Sequence, residues 1–202
     1  MIDRQACVAA LAGALSSELV VTGLGYSAFD TYAAGDRARN FYLSGALGSA
    51  ASVAFGLAAT RTADRVVCID GEGSLLSNLG ALATIGRYQL HNLCCVVLDN
   101  EMFQITGGQP THTACGTDLA AIARGCGISS ALTVESLDAF KAHFQKMLAE
   151  PGPHVLVAKV DGHQSSGYQP RKGILIKYRF MQAIGLASDV DALAWSTASM
   201  RA

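Results

Sequence analysis

Arg65-Val66-Val67-Cys68-Ile69-Asp70-Gly71-Glu72-Gly73-Ser74 is the stretch on which the reading of this chain turns. Val66 to Ile69 are continuously apolar, with no polar alternation, the pattern of a strand covered on both faces in a parallel sheet. Asp70 ends the run and Gly71-Glu72-Gly73 makes a tight turn. From Ser74 a helix follows, with apolar residues at 75, 76, 79, 82, 83 and 85 on one face. Such a junction presents free backbone N–H groups and the positive end of a helix dipole, which suits a phosphate. Glycines beside an acidic residue allow close backbone approach, and the carboxylate can hold a hard cation. Alone, the tripeptide does not separate a binding loop from an ordinary turn.

Moving outward, His91 and Asn92 end the helix before a second buried strand, Leu93-Cys94-Cys95-Val96-Val97-Leu98, which delivers Asp99-Asn100 to its C-terminal end. Residues 74 to 98 are 25 in number. If the two strands are neighbours, a carboxylate and an amide oxygen converge beside the first turn, where magnesium would find part of an octahedral oxygen shell. Upstream, the sequence predicts a helix at about 3 to 17, a strand at 19 to 22, a glycine turn at 23 to 25, a loop carrying Asp30, Asp36, Arg37 and Arg39, and a small-residue helix from about Leu47 to Thr60. Downstream it predicts a polar loop at 99 to 117, helices near 118 to 125 and 136 to 149, strands at 131 to 134 and 154 to 160, and a tail helix at about 173 to 186. The expected fold is α/β: an open, mostly parallel sheet with helices on both faces, one domain over residues 1 to 202. Ligands in such folds sit at strand C-termini, so the junctions at 22 to 27, 70 to 74 and 99 to 109 are where chemistry is expected.

Bulk properties narrow the classes. Fifteen Lys and Arg against sixteen Asp and Glu leave no surplus for nucleic acid or an anionic membrane. The apolar run at 6 to 15 resembles a signal-peptide core but reads as an N-terminal helix. The uncharged run at 40 to 60 is too rich in Gly, Ala and Ser for a membrane span. A cytoplasmic protein is expected. Six cysteines without a CxxC pair read as small buried apolar residues in a reducing compartment. No GxGxxG opens a helix, which disfavours a dinucleotide module.

Gly71-Glu72-Gly73-Ser74, the gap of 25 and Asp99-Asn100 resemble the motif of thiamine diphosphate enzymes, written GDG, roughly 25 residues, then NN. The segments Asn40 to Gly48, Gly80 to Gly86 and Thr106 to Thr111 extend the likeness to the diphosphate-binding domain of the thiamine diphosphate-dependent decarboxylases, in particular those acting on sulfopyruvate and phosphonopyruvate. The β subunit of the former is similar in size and layout. The resemblance implies thiamine diphosphate and Mg2+ as cofactors. It assigns Glu72, the Asn100 side chain and the Met102 carbonyl to the metal. Gly73 and Ser74 would hold the diphosphate from one side, with Gly25, Ser27 and the Gln104 backbone approaching from others. The Gly45 carbonyl would meet the aminopyrimidine, and Leu47 would be the apolar prop that keeps the cofactor bent. Two departures stand out: Glu72 where the family has Asp, one methylene or about 1.5 Å longer, and Asp99 where it usually has Asn.

In this family the glutamate that activates the cofactor belongs to a pyrimidine-binding domain, and no second α/β unit is read here. The resemblance therefore implies a pyrimidine-binding (α-type) partner subunit, a hetero-oligomer with two-fold symmetry, and a small anionic 2-oxo acid substrate that loses carbon dioxide to give an aldehyde. The alternatives are a carboligase subunit of acyloin or acetolactate type and a non-catalytic binding or regulatory subunit. His112, in the loop after Gly107-Gly108-Gln109-Pro110-Thr111, is the candidate catalytic side chain of this chain itself. Arg171, Lys172, Lys177 and Arg179 form a basic cluster that reads as a solvated helix face or subunit contact, with anion recognition as the alternative.

Overall fold

The apolar runs become the strands of one parallel sheet. The structure, a computed structural model, describes residues 1–165, 167–169 and 172–187. In chain order the elements are α1 (Arg4–Ala14), β1 (Leu19–Thr22), α2 (Tyr26–Gly35), β2 (Asn40–Tyr42), α3 (Ala50–Thr60), β3 (Val66–Gly71), α4 (Glu72–Leu76), α5 (Gly80–Tyr88), β4 (Leu93–Asp99), β5 (Met102–Phe103), β6 (Gln109–Pro110), α6 (Leu119–Gly125), β7 (Ser130–Val134), α7 (Leu137–Ala149), β8 (His154–Lys159) and α8 (Gly173–Ala183). Six strands lie in the order β2-β1-β3-β4-β8-β7, every pair parallel. From β1 the chain steps outward to β2 and then returns past it to β3. The direction reverses between β1 and β3, and a crevice opens at their C-terminal ends.

Alternation sorts side chains to two cores. Leu19, Val21, Val66 and Cys68 meet the alanine ridge Ala50, Ala54 and Ala58 of α3 together with Leu82 and Ile85 of α5. The small α3 residues let that helix lie close to the sheet, and this is why an uncharged, glycine- and alanine-rich run belongs to a buried helix. On the other face Val20, Val67, Ile69 and Cys94 meet Val8 and Leu11 of α1 and Phe140 and Phe144 of α7. Side-chain caps start several helices: Asp3 accepts the Ala6 N–H at 2.8 Å, and Asp118 and Ser136 cap α6 and α7.

Between β1 and β4 the structure departs from the sequence expectations at four places. Residues 26 to 35, expected as part of a loop, are helix α2; Asp30 faces inward to a partner on α1. Asn40–Tyr42 adds a short edge strand. The helix expected from Leu47 starts at Ala50, since Gly48 takes a φ of 80° that a helix does not allow. The helix from Ser74 is two, α4 and α5, broken where the Ser77 hydroxyl returns to the Gly73 carbonyl and Asn78 reaches across to Gly48. Four cysteines are buried; Cys126 is half-buried and Cys115 exposed. Within the basic cluster, Arg179 grips Asp36 with both terminal nitrogens and so ties α8 to the sheet edge, Lys172 and Lys177 are exposed, and Arg171 lies outside the described residues. Among the described residues no helix is long and apolar enough to cross a membrane.

Candidate functional site

A cleft with about 670 Å³ of empty space, open to solvent, lies at the C-terminal ends of β1, β3 and β4. Three segments wall it, the three junctions singled out in the sequence. The first is the start of α2. Gly25 precedes it with a φ of 75°, and a Cβ there would stand 2.8 Å from Ile105, so only glycine meets both demands. Ser27 follows, buried, in the first turn. The second is the turn Gly71 to Ser74, where β3 passes straight into α4 and leaves the first N–H groups of that helix facing the cleft. A Cβ on Gly73 would lie 2.6 Å from the Phe103 ring, so the backbone of one wall touches the side chain of the next. The third is the segment from Asn100 through Met102 to Thr106. Leu47 stands at the mouth, 53% exposed.

Glu72 is the electrostatic centre. Its carboxyl is buried, 2% exposed, and accepts the Thr111 hydroxyl at 3.2 Å. Burial pushes its pKa up to about 7, helped by the nearby Asp99 charge and opposed by its own amide, the Thr111 hydroxyl and the Asn100 amide. The line of contacts continues: Thr111 Oγ1 meets Thr113 Oγ1 at 2.9 Å, and Thr113 donates to Asp99 Oδ1 at 2.8 Å. Lys159 closes the far end, 2.9 Å from Asp99 Oδ2 and 2.7 Å from Glu101 Oε1. Burial opposes the Lys159 ammonium, but hydrogen bonds to Glu101 and Asp99 outweigh it and raise its pKa.

A second network fixes the third wall. Arg4, 3% exposed, pairs with Asp30 at 2.7 Å, donates to Gln104 Oε1 at 2.8 Å and covers the Tyr26 ring at 5.0 Å. Gln104 Oε1 also accepts from Asn100 Nδ2 at 2.8 Å, and Gln104 Nε2 reaches the Gly162 carbonyl. The Gln104 side chain is thus spoken for, and its backbone is what remains for a ligand. Ser74 is in a similar position: its hydroxyl accepts the Gly48 N–H at 3.0 Å and supports Asp70, leaving its backbone N–H for the cleft.

Of the residues expected from sequence, Ser27, Leu47, Glu72, Gly73, Ser74, Asn100, Met102 and Gln104 line this one cleft, with Gly25 immediately behind its rim. Gly45 lies in the loop after β2, outside the lining. His112 is exposed, at the start of a 3₁₀ turn, while Thr111 and Thr113 on either side of it turn inward. Arg4, Thr113 and Lys159 were not singled out by sequence, and Asp30 and Thr111 were given no role at the site. Their roles depend on partners far along the chain, and no local motif marks them.

The donor set fits a hard cation bound together with a phosphate. It offers a buried carboxylate, the Asn100 amide oxygen and the Met102 carbonyl, which strand alternation turns away from the β5–β6 ribbon because the ribbon bonds use the carbonyls of Glu101 and Phe103. The buried Glu72, with Asp99 close by, is negative charge that a divalent ion would offset.

Residues 24–158 match the family model "Thiamine pyrophosphate enzyme, C-terminal TPP binding domain". The chain is similar to sulfopyruvate decarboxylase subunit beta of Methanocaldococcus jannaschii, 40% identical over 168 residues that cover 83% of this chain and 88% of that protein. It is also similar to phosphonopyruvate decarboxylase of Streptomyces viridochromogenes, 42% identical over 134 residues, 66% of this chain and 33% of that one. Among solved structures, benzoylformate decarboxylase from Polynucleobacter necessarius matches with a TM-score of 0.65 at 22% identity, covering 79% of this chain and 33% of that one, a likeness of fold.

Proposed function

Because the chain belongs to the thiamine pyrophosphate enzymes, as a bearer of their C-terminal cofactor-binding domain, we propose that it is the diphosphate- and Mg2+-binding subunit of a two-chain 2-oxo acid decarboxylase acting on sulfopyruvate. The observation that carries the reading is the 40% identity to a sulfopyruvate decarboxylase β subunit over 88% of that protein's length, joined to a cleft whose donors suit a metal diphosphate.

In this reading Glu72, the Asn100 side chain and the Met102 carbonyl hold Mg2+. The backbone N–H groups of Gly73 and Ser74, at the start of α4, receive the diphosphate, where the helix dipole favours negative charge. Gly25, Ser27 and the Gln104 backbone close around it from the other walls. The Gly45 carbonyl and Leu47 serve the aminopyrimidine end, and the exposure of Leu47 suits a residue covered by cofactor and partner together. The chemistry that thiamine diphosphate supplies when bound is nucleophilic addition at the 2-oxo carbon and a sink for the electron pair that carbon dioxide leaves behind. This chain orients it and keeps the metal in register. The pyrimidine-binding partner brings the remaining half of the site, in a hetero-oligomer with two-fold symmetry, and much of the substrate pocket.

The test is to co-express the chain with its pyrimidine-binding partner and measure aldehyde and carbon dioxide release from sulfopyruvate, phosphonopyruvate, pyruvate and benzoylformate. Sulfopyruvate should be turned over fastest, only by the complex, and only with thiamine diphosphate and Mg2+. Turnover of none of the four acids, or acyloin products without free aldehyde, would sink the decarboxylase reading.

A further inference from the structure

Lys159 stands on β8 in register with Asp99 on β4, one strand away from the turn that carries Glu72. Its ammonium bridges Asp99 and Glu101. Asp99 is 1% exposed and cannot be left unpaired cheaply. Its other oxygen receives Thr113 at 2.8 Å and the Glu101 N–H at 3.1 Å. Thr113 meets Thr111, and Thr111 meets Glu72. Glu101, held by both Lys159 and Asp99, adopts a φ of 63°, a left-handed conformation that a non-glycine residue keeps only when its surroundings impose it. The turn it makes sets the direction of Asn100 and Met102 on either side.

We propose that Lys159 is a positioning residue for the cation: through Asp99, Thr113 and Thr111 it fixes the Glu72 carboxylate, and through Glu101 it fixes the backbone between Asn100 and Met102. The inference rests on reading the cleft as a metal diphosphate site. It makes a prediction opposite in sign to simple charge repulsion. A lysine acting only as a competing positive charge would weaken Mg2+ binding, so that its removal would tighten it; a positioning lysine loosens the site when removed.

The experiment is calorimetric titration of Mg2+ into the complex with the partner subunit, at fixed thiamine diphosphate, alongside the melting temperature of the metal-free complex. Lys159→Met is expected to raise the Mg2+ dissociation constant by about 10- to 100-fold, the range found when a partner of a metal ligand is lost. Thr111→Val, which leaves the Lys159–Asp99 pair intact, should shift it in the same direction. In Lys159→Met/Asp99→Asn, where the buried Asp99 charge is no longer left without its partner, affinity should return to within about threefold of wild type, well inside that range. Unchanged or tighter Mg2+ binding in Lys159→Met overturns the proposal, as does a double variant no better than the single one. A shift in melting temperature with an unmoved Mg2+ titration also overturns it, because that is the signature of a merely structural lysine. If Lys159→Met does not fold, an unaltered dissociation constant in Thr111→Val overturns it alone. Failure of the wild-type complex to bind Mg2+ with thiamine diphosphate would instead count against the reading of the cleft.

Discussion

Arg4 and Gln104 are joined by a hydrogen bond of 2.8 Å, and the oxygen that accepts it also accepts the Asn100 amide at 2.8 Å. The first helix thereby reaches the loop that carries the proposed metal ligands. Arg4 is held in turn by Asp30, which is 4% exposed. Replacing Arg4 by Met removes the cation and leaves Asp30 buried without its partner, a change that costs about 3–5 kcal/mol. Urea denaturation of Arg4→Met should show that loss, and thiamine diphosphate affinity should fall as Gln104 is freed. A stability change below about 1 kcal/mol, the value of an exposed pair, would contradict the buried pairing.

Gly73 and Phe103 make contact across the cleft, and the outcome of Gly73→Ala depends on which side yields. Alanine favours the helix over glycine by about 1 kcal/mol, while its Cβ would lie 2.6 Å from the ring. The half-buried Phe103 lines the cleft, so the ring has room to move into the space a diphosphate needs. Gly73→Ala should therefore change stability by no more than about 1 kcal/mol and weaken cofactor binding about tenfold or more, roughly 1.4 kcal/mol. The double variant Gly73→Ala/Phe103→Leu should recover most of that affinity. Equilibrium dialysis with labelled cofactor reads it directly.

The raised pKa of Glu72 has consequences of opposite sign for stability and for metal binding. Its folded pKa, about 7, lies above the ordinary 4.5. Its contribution to metal-free stability is thus fully present below about pH 4.5 and is lost as pH rises through 7. Asp70, pushed up to about 7 by burial, adds in the same direction. Mg2+ needs the ionised carboxylate, so its affinity should climb between pH 6 and 8 with release of a proton. Denaturation midpoints and Mg2+ titrations across that range check both slopes. A Mg2+ affinity that is flat from pH 6 to 8 would contradict the raised pKa of Glu72.

Much of this was legible in the chain. The strands at 66–69 and 93–98 announce themselves as unbroken apolar runs because both of their faces are covered. The turn at Gly71 to Ser74 needed only glycine chemistry and its position after a strand. What misled was charge read locally. Asp30 looks like a loop residue until Arg4, 26 positions earlier, is seen beside it. The break between α4 and α5 was hidden because apolar periodicity runs across it, while the cause lies in Gly48 and Asn78 bonding at a distance. The Lys159–Asp99 pair depends on the register of β4 against β8, which periodicity does not encode. The inward turn of Thr111 and Thr113 on either side of the exposed His112 is likewise set by their distant partners Glu72 and Asp99.

In the proposed function Glu72 anchors a metal-bound thiamine diphosphate in this cleft. Calorimetric titration of thiamine diphosphate into the complex, with and without Mg2+, tests it most directly when wild type is set against Glu72→Ala. The account predicts saturable binding at one site per chain in the wild type that requires Mg2+, and loss of that binding in the variant, with its fold retained by circular dichroism. Equal binding with and without Mg2+, or Mg2+-dependent binding of undiminished affinity in Glu72→Ala, would contradict it.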